Sequence, residues 1–509
     1  MKHIEILDTT LRDGEQTPGV RFSLSHKIEI AKQLERLGVD AIEAGFPASS
    51  KGDFDAVSAV SREVRDCSVQ ALARCMKADI DCAAEALKDA ADPIIHVFLA
   101  TSPIHLEYKL KMDPEKALEH IKEGVSYAKS LCKKVQFSPE DATRSDKEYL
   151  CRAIKCAIDA GADIINIPDT VGYSLPEEYA SLVSYLLENV EGLSEKTISV
   201  HCHNDLGMAV ANSITAVSAG AARVECAVNG IGERAGNASL EEVVMALRVR
   251  RDFTDCDTKV NSKEILRTSR MVSSFAGHDV ALNKAIVGKN AFSHESGIHQ
   301  HGMMEHRNTY EIMNPEDIGA DKSTLVLGKL SGRHAYSQRL TTLGYALDSK
   351  GIYSTFNRFK EIAEKKVAVT DSDIRAIVNE YLDGIEGKYW VDTFQIQSGN
   401  HMKAMALVSL KAGDEVFTES APGEGPIDAA FNTINRIAGA DDVVLESYNL
   451  KAVTEGADAL GEVKVKISSD YGAFTGRGVS TDVIKASIKA YVNAINKWTR
   501  AQRGPENEA

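Results

Sequence analysis

Two spacings of apolar residues alternate along the first half of the chain. Short runs rich in β-branched residues recur at Ile4–Leu7, Ala41–Ala44, Val69–Ala73, Ile94–Leu99, Lys134–Phe137, Ile164–Ile167, Ile198–Val200 (continuing to His203) and Arg223–Val228. Each is too short for a helix and reads as a strand. Between them, stretches such as Ser25–Leu37 and Glu177–Leu187 place apolar residues at helical spacing. Eight β-then-α units within roughly 250 residues predict a (β/α)8 barrel of the TIM type. An open doubly wound sheet fits less well, because no GxGxxG follows the first strand.

A barrel carries its chemistry at the C-terminal ends of its strands. Polar residues collect at those ends. Asp8, Arg12 and Asp13 follow the first strand, Glu43 ends the second and Arg74 the third. His96 lies in the fourth strand, and Glu140 and Asp141 follow the fifth. Asp169 and Thr170 follow the sixth, His201 and His203 end the seventh, and Asn229 ends the eighth.

The pattern changes after the barrel. Residues 266–385 read as polar helical linker subdomains, with a histidine-rich stretch at Phe292–His306. From Trp390 on, an α+β module with an internal duplication is expected. Met405–Leu410, Phe417-Thr418 and a helix at Ile427–Ile437 are echoed by Glu462–Ile467, Phe474-Thr475 and a helix at Val483–Trp498, a period of roughly 55 residues. The expected division is therefore 1–265 barrel, 266–385 linker and 386–509 C-terminal domain.

Composition narrows the class. The 509 residues are 43% hydrophobic and 26% charged, which suits a chain of several domains with a sizeable core. A net charge of -15 argues against nucleic acid or an anionic membrane as main partner. No apolar run is long enough to span a bilayer. The chain enters a strand directly after Met1-Lys2-His3, so no signal or transit peptide is expected. All nine cysteines lie between Cys67 and Cys256, without a CxxC pair. Reduced thiols and a cytoplasmic setting follow from that usage.

Four motifs carry candidate chemistry. In His201-Cys202-His203 the two imidazoles share one strand face and suit a divalent ion. Leu11-Arg12-Asp13-Gly14-Glu15-Gln16 reads either as a surface loop with an internal Arg–Asp pair or as the source of a carboxylate to complete such a site and a guanidinium for an anionic substrate group. The glycine-rich stretch Asn229–Asn237 follows the eighth strand. It reads either as an anion-binding loop or as a tight turn, with Asn237 near the metal and Glu233 or Arg234 around it. His294-Glu295-Ser296-Gly297-Ile298-His299-Gln300-His301 lies beyond the barrel and reads first as a solvated polar loop, otherwise as a second metal site or as a source of a general acid or base.

At these motifs the chain resembles the 2-isopropylmalate synthase family, within a wider group that includes homocitrate and citramalate synthases. The matching stretches are 11–16 with Lys27, 96–105 (His-Val-Phe-Leu-Ala-Thr-Ser-Pro-Ile-His), 201–209, 229–237 and 294–300. The resemblance covers essentially the whole chain. It implies condensation of acetyl-CoA with 2-oxoisovalerate, then thioester hydrolysis to 2-isopropylmalate and CoA, the first committed step to leucine. It implies a divalent metal on Asp13, His201, His203 and Asn237, with manganese expected ahead of zinc, magnesium or cobalt, and K+ as an activator. Arg12, Glu140 and His299 take catalytic roles by this resemblance, while Arg12, His96 and Thr170 bind substrate. His299 is expected from the partner of a domain-swapped homodimer, and leucine is the expected effector of the C-terminal domain. One departure is His301, where many relatives carry Asp. The rival activities are citramalate synthase, using pyruvate, and an acyl-CoA carbon–carbon lyase.

Overall fold

The computed structural model describes residues 1–294, 296–320, 327–328, 331–364, 369–384, 387–452 and 461–503. The chain forms two compact units, Met1–Phe292 with Glu311–Ser323, and Ser293–Tyr310 with Thr324–Ala509.

The first unit is a closed parallel barrel of eight strands. They are β1 (Glu5–Asp8), β2 (Ala41–Gly45), β3 (Ser68–Arg74), β4 (Pro93–Ala100), β5 (Lys134–Glu140), β6 (Ile164–Asp169), β7 (Thr197–Cys202) and β8 (Arg223–Cys226). Pairing of Glu5 with Arg223 and of Asp8 with Cys226 closes the ring. Helices between the strands form the outer layer. The first of them, Leu24–Leu37, starts where Ser23 accepts from the His26 amide and ends at Gly38 in the left-handed region, φ 85°.

Apolar and polar residues alternate at the centres of β3 to β8. Val69, Ala71, Ile95, Val97, Val135, Phe137, Ile165, Ile167, Ile198, Val200 and Val224 are buried in the apolar core of this unit. The residues between them are Gln70, His96, Gln136, Asn166, Ser199 and Glu225, and these are buried as well. Gln136 on β5 donates to Glu225 on β8 at 2.7 Å. These strands are not neighbours, so the bond passes through the lumen. The barrel interior is thus polar, where a barrel core is ordinarily filled by branched apolar side chains.

In the second unit, helices Arg333–Thr342, Ser349–Ala363 and Asp371–Gly384 pack around Tyr336, Phe359 and Ile377. Two copies of a βββα module follow. Strands β9 (Trp390–Gly399), β10 (Met402–Ala412) and β11 (Glu415–Gly423) precede helix Pro426–Ala438. Strands β12 (Val444–Ala452), β13 (Gly461–Ser469) and β14 (Gly472–Ser480) precede helix Val483–Arg503. Each sheet is an antiparallel meander in chain order. Each copy thus holds one more strand than the sequence pattern suggested. The additional strands, β9 and β12, lie at sheet edges. The histidine-rich segment is also more ordered than expected, with a helix at Gly297–Glu305.

Candidate metal centre

Asp13, His201 and His203 come together at the C-terminal end of the barrel, all three buried. His201 Nε2 lies 3.4 Å from His203 Nε2 and 3.7 Å from Asp13 Oδ2. His203 Nε2 lies 3.8 Å from the same oxygen. Two donors on one divalent ion, with bonds of about 2.1 Å at roughly 90–110°, sit about 3.0–3.5 Å apart. The observed triangle is close to that size. Cys202 is buried away from it, where its thiol is pushed up to about 12 by desolvation.

The protonation states suit the same reading. Burial opposes ionisation of Asp13, but Arg12, His201 and His203 outweigh it and hold the carboxyl well below its usual range. Burial and the neighbouring His201 push His203 down to about 4, so it is neutral. Burial also disfavours the charged form of His201, yet the Glu225 carboxylate and Asp13 win and raise it. Metal binding here would compete with protonation of His201.

Asn237 completes the arrangement. Its amide donates to Asp13 Oδ1 at 3.0 Å, and its own Oδ1 is buried with no partner. An orphaned carbonyl oxygen beside two imidazoles and a carboxylate is what a fourth ligand requires. The glycines around it serve close packing. A Cβ on Gly232 would lie 2.3 Å from Asn237 Nδ2, and one on Gly236, at φ +87°, 2.0 Å from the Gly230 carbonyl. The stretch 229–237 is therefore a loop folded tightly on itself around Asn237.

Supporting groups reach the centre through the lumen. Glu225 Oε2 lies 3.2 Å from His201 Nδ1. Its other oxygen accepts from Gln136 at 2.7 Å and Ser199 at 2.9 Å. Glu43 joins two of the sequence candidates. It accepts from Arg12 Nε at 2.5 Å and contacts His96 Nδ1 at 2.6 Å. Arg12 also donates to Asp13 Oδ2 at 2.6 Å. His96 Nε2 lies 2.6 Å from Ser138 Oγ, which accepts from Asn166 at 2.9 Å.

The other candidates spread around the rim. Thr170 accepts from the Asp141 amide at 2.9 Å, and its carbonyl accepts from Arg234 at 2.8 Å. Arg234 holds Asp205 with two nitrogens, 2.8 and 3.0 Å. Glu140 pairs with Lys109 at 2.6 Å. Lys27 is buried between Glu15 at 2.6 Å and Asp53 at 3.2 Å. Arg74 forms a half-exposed pair with Asp79. Asp8 does not face the mouth: it binds the Thr10 amide and feels the charge of Glu241 on the helix after β8. His299 belongs to the second unit, exposed on Gly297–Glu305, its ring 4.3 Å from that of Tyr310. The side chain of His301, and all of Glu295, lie outside the described residues.

The sequence reading missed Glu225, Ser138, Gln136 and Asn166. Their signal was present as polar residues at every second position of strands that are otherwise apolar.

Known proteins give a consistent answer. The HMGL-like family matches residues 3–272, the homocitrate synthase post-HMGL domain-like family 286–367, and the LeuA allosteric (dimerisation) domain 368–499. The chain is 52% identical to a 2-isopropylmalate synthase of Ruminiclostridium cellulolyticum, covering 97% of each. It is 53% identical to a 2-isopropylmalate synthase of Pyrococcus furiosus, covering 98% of this chain and all of that one. A third, from Aquifex aeolicus, is 51% identical over 97% of this chain and 95% of its own length.

Proposed function

The chain belongs to the 2-isopropylmalate synthase family, and from that premise we propose that its barrel condenses acetyl-CoA with 2-oxoisovalerate and hydrolyses the thioester, releasing 2-isopropylmalate and CoA. The observation that supports this reading most directly is the buried Asp13–His201–His203 triangle, with the free Asn237 oxygen beside it. These four residues would hold the divalent metal, manganese in our assignment, with K+ as activator. The metal supplies Lewis acidity to the carbonyl of the keto acid.

The chain's own groups do the rest. Arg12 is fixed by Glu43 on one side and Asp13 on the other, so its guanidinium needs no reorganisation to face a developing alkoxide. His96, anchored by Glu43 and Ser138, and Thr170 orient the keto acid. Glu140 moves the proton of the acetyl methyl group. His299 acts from the partner subunit of a domain-swapped homodimer as the second proton-transfer group. In this assignment 1–265 is the catalytic barrel, 266–385 links and contributes His299 to the active site, and 386–509 responds to effector.

Leucine is the proposed effector. A cavity of about 350 Å³ in the C-terminal module is lined by Gly425, Pro426, Ile427, Asp428, Phe431, Leu445 and Tyr448. Its walls suit a branched apolar side chain. The start of helix Pro426–Ala438 and the Asp428 carboxylate offer partners for a carboxylate and an ammonium. All nine cysteines are free, and among the described residues no helix is long and apolar enough to cross a membrane. Both suit the cytoplasmic placement we propose.

Thiol release from acetyl-CoA, followed with 2-oxoisovalerate or pyruvate as acceptor, tests the reading. Preference for 2-oxoisovalerate is expected. Equal or better turnover with pyruvate would assign the chain to citramalate synthesis instead.

A further inference from the structure

Two loops deliver the proposed metal ligands that do not lie at the C-terminal end of β7. The loop after β1 carries Asp13, and the loop after β8 carries Asn237. Their side chains meet in one hydrogen bond of 3.0 Å. Two threonine hydroxyls on the Asp13 loop, one on each side of Asp13 in the chain, also reach across to the other loop. Thr10 is fully buried. Its Oγ1 donates to Asp8 Oδ2 at 2.9 Å and accepts from the Val228 amide at 2.9 Å. Thr17 is half-buried. Its Oγ1 accepts from the Gly232 amide at 2.8 Å, and its one proton faces two carbonyls, Gly14 at 2.9 Å and Gly232 at 3.0 Å.

We propose that the hydroxyls of Thr10 and Thr17 are positioning groups that clamp the Asp13 loop to the Asn237 loop and thereby set the affinity of the centre for its divalent metal. The proposal rests on the metal assignment above.

The geometry gives each hydroxyl both halves of a bridge. A hydroxyl donates one bond and accepts another, so a single Oγ can satisfy a group on its own loop and an amide on the opposite one. Valine has the same shape and can do neither. The amides concerned bracket the loop that presents Asn237. Val228 opens it, and Gly232 is the residue whose missing side chain leaves room for the Asn237 amide. The loop is closed between them by the Asn237 backbone N–H, which donates to the Gly230 carbonyl at 3.0 Å. Asp8 anchors the outer end of the Thr10 bridge. This buried carboxylate faces away from the barrel mouth, and its two bonds to Thr10, from amide and hydroxyl, are both 2.9 Å. On the other side Glu241 accepts from the Asn229 amide at 3.0 Å, which fixes that residue in the left-handed region at φ 60°. Groups that orient metal ligands typically change metal affinity by about tenfold to a hundredfold when removed.

The experiment titrates Mn2+ into metal-free full-length protein, reading free Mn2+ by its paramagnetic resonance signal, so that turnover plays no part. Thr10→Val and Thr17→Val should each weaken binding about tenfold. Thr10→Ser and Thr17→Ser, which keep the hydroxyl, should bind like the wild type. At saturating Mn2+ the valine variants should recover kcat, since the clamp acts through metal occupancy. Tyr149→Phe, which loses a hydrogen bond of 2.8 Å to the Pro114 carbonyl between two outer helices, should lower Tm and leave Mn2+ affinity unchanged. Wild-type affinity in both valine variants overturns the clamp. If Thr10→Val does not fold because Asp8 is left unsatisfied, Thr17→Val decides alone. A wild type that binds no Mn2+ overturns the metal centre itself, a distinct outcome.

Discussion

Replacing Gly232 by alanine tests the geometry of the centre with one carbon atom. The backbone at Gly232 needs no left-handed conformation, so the effect of the substitution is steric alone. The new Cβ would lie 2.3 Å from Asn237 Nδ2, 2.9 Å from its Cγ and 3.1 Å from Asp13 Oδ1. Ordinary contact begins near 3.5 Å, so the Asn237 amide must retreat by roughly 1 Å. Its 3.0 Å bond to Asp13 then leaves hydrogen-bond range. A bond to a charged acceptor contributes about 1.5–3 kcal/mol, so Mn2+ affinity should fall about tenfold to a hundredfold. The assay is calorimetric Mn2+ titration, paired with thermal unfolding with and without the ion. At a Mn2+ concentration of 100 times the wild-type Kd, metal stabilises the native state by about 2.7 kcal/mol, and a hundredfold weaker variant loses most of that. Gly52→Ala is the control. Gly52 is exposed near the start of helix Lys51–Glu63, and a Cβ there meets only Ser50 Oγ at 3.7 Å. It should leave metal binding intact and raise stability by about 0.5–1 kcal/mol. An unchanged Mn2+ affinity in Gly232→Ala would refute the placement of Asn237 at the metal.

Four further outcomes are expected. His203→Ala should lose metal and turnover together, and full activity in the metal-depleted variant would remove the ion from the reaction. Glu225→Gln keeps the shape and one oxygen of a side chain 3.2 Å from His201 but removes its charge, so metal affinity should drop about tenfold in calorimetry while the far-ultraviolet circular dichroism stays native. Asp8 is raised from 3.8 to about 7, chiefly by burial, so its contribution to stability is full below about pH 4 and is lost as pH rises through 7. Unfolding free energies from urea titrations should therefore fall between pH 5 and pH 8 by about 2.6 kcal/mol more for the wild type than for Asp8→Asn; parallel behaviour of the two would refute the raised value. Deleting residues from 390 onward should abolish inhibition by leucine and leave some thiol release, whereas equal inhibition in the truncated chain would place the effector elsewhere.

The sequence by itself determined the architecture of the barrel and singled out Asp13, His201 and His203, the three buried side chains that cluster at its rim. Strand length and apolar spacing are local properties, and a period of two puts His201 and His203 on one face whatever surrounds them. The order of strands then brings Asp13, after β1, to the rim where β7 ends. Asn237 was reachable through the resemblance, but its reason was not: that loop closes on itself through contacts of Gly230, Gly232 and Gly236 that no spacing rule describes. Only the tertiary structure decided what supports the ligands. Glu225 reaches Gln136 across the lumen, Glu43 joins Arg12 to His96, and Thr10 and Thr17 bond amides more than 210 residues away. Such partners are chosen by which strands and loops become neighbours when the sheet closes. The edge strands β9 and β12 escaped for a related reason: edge strands bury less, and Trp390–Gly399 exposes most of its residues, so its pattern carries little of the apolar alternation that marks a buried strand. The alternation at the centres of β3 to β8 was legible. Its meaning, a polar lumen beneath the metal centre, came only with the closed ring, because a polar residue inside a barrel and one facing solvent have the same period.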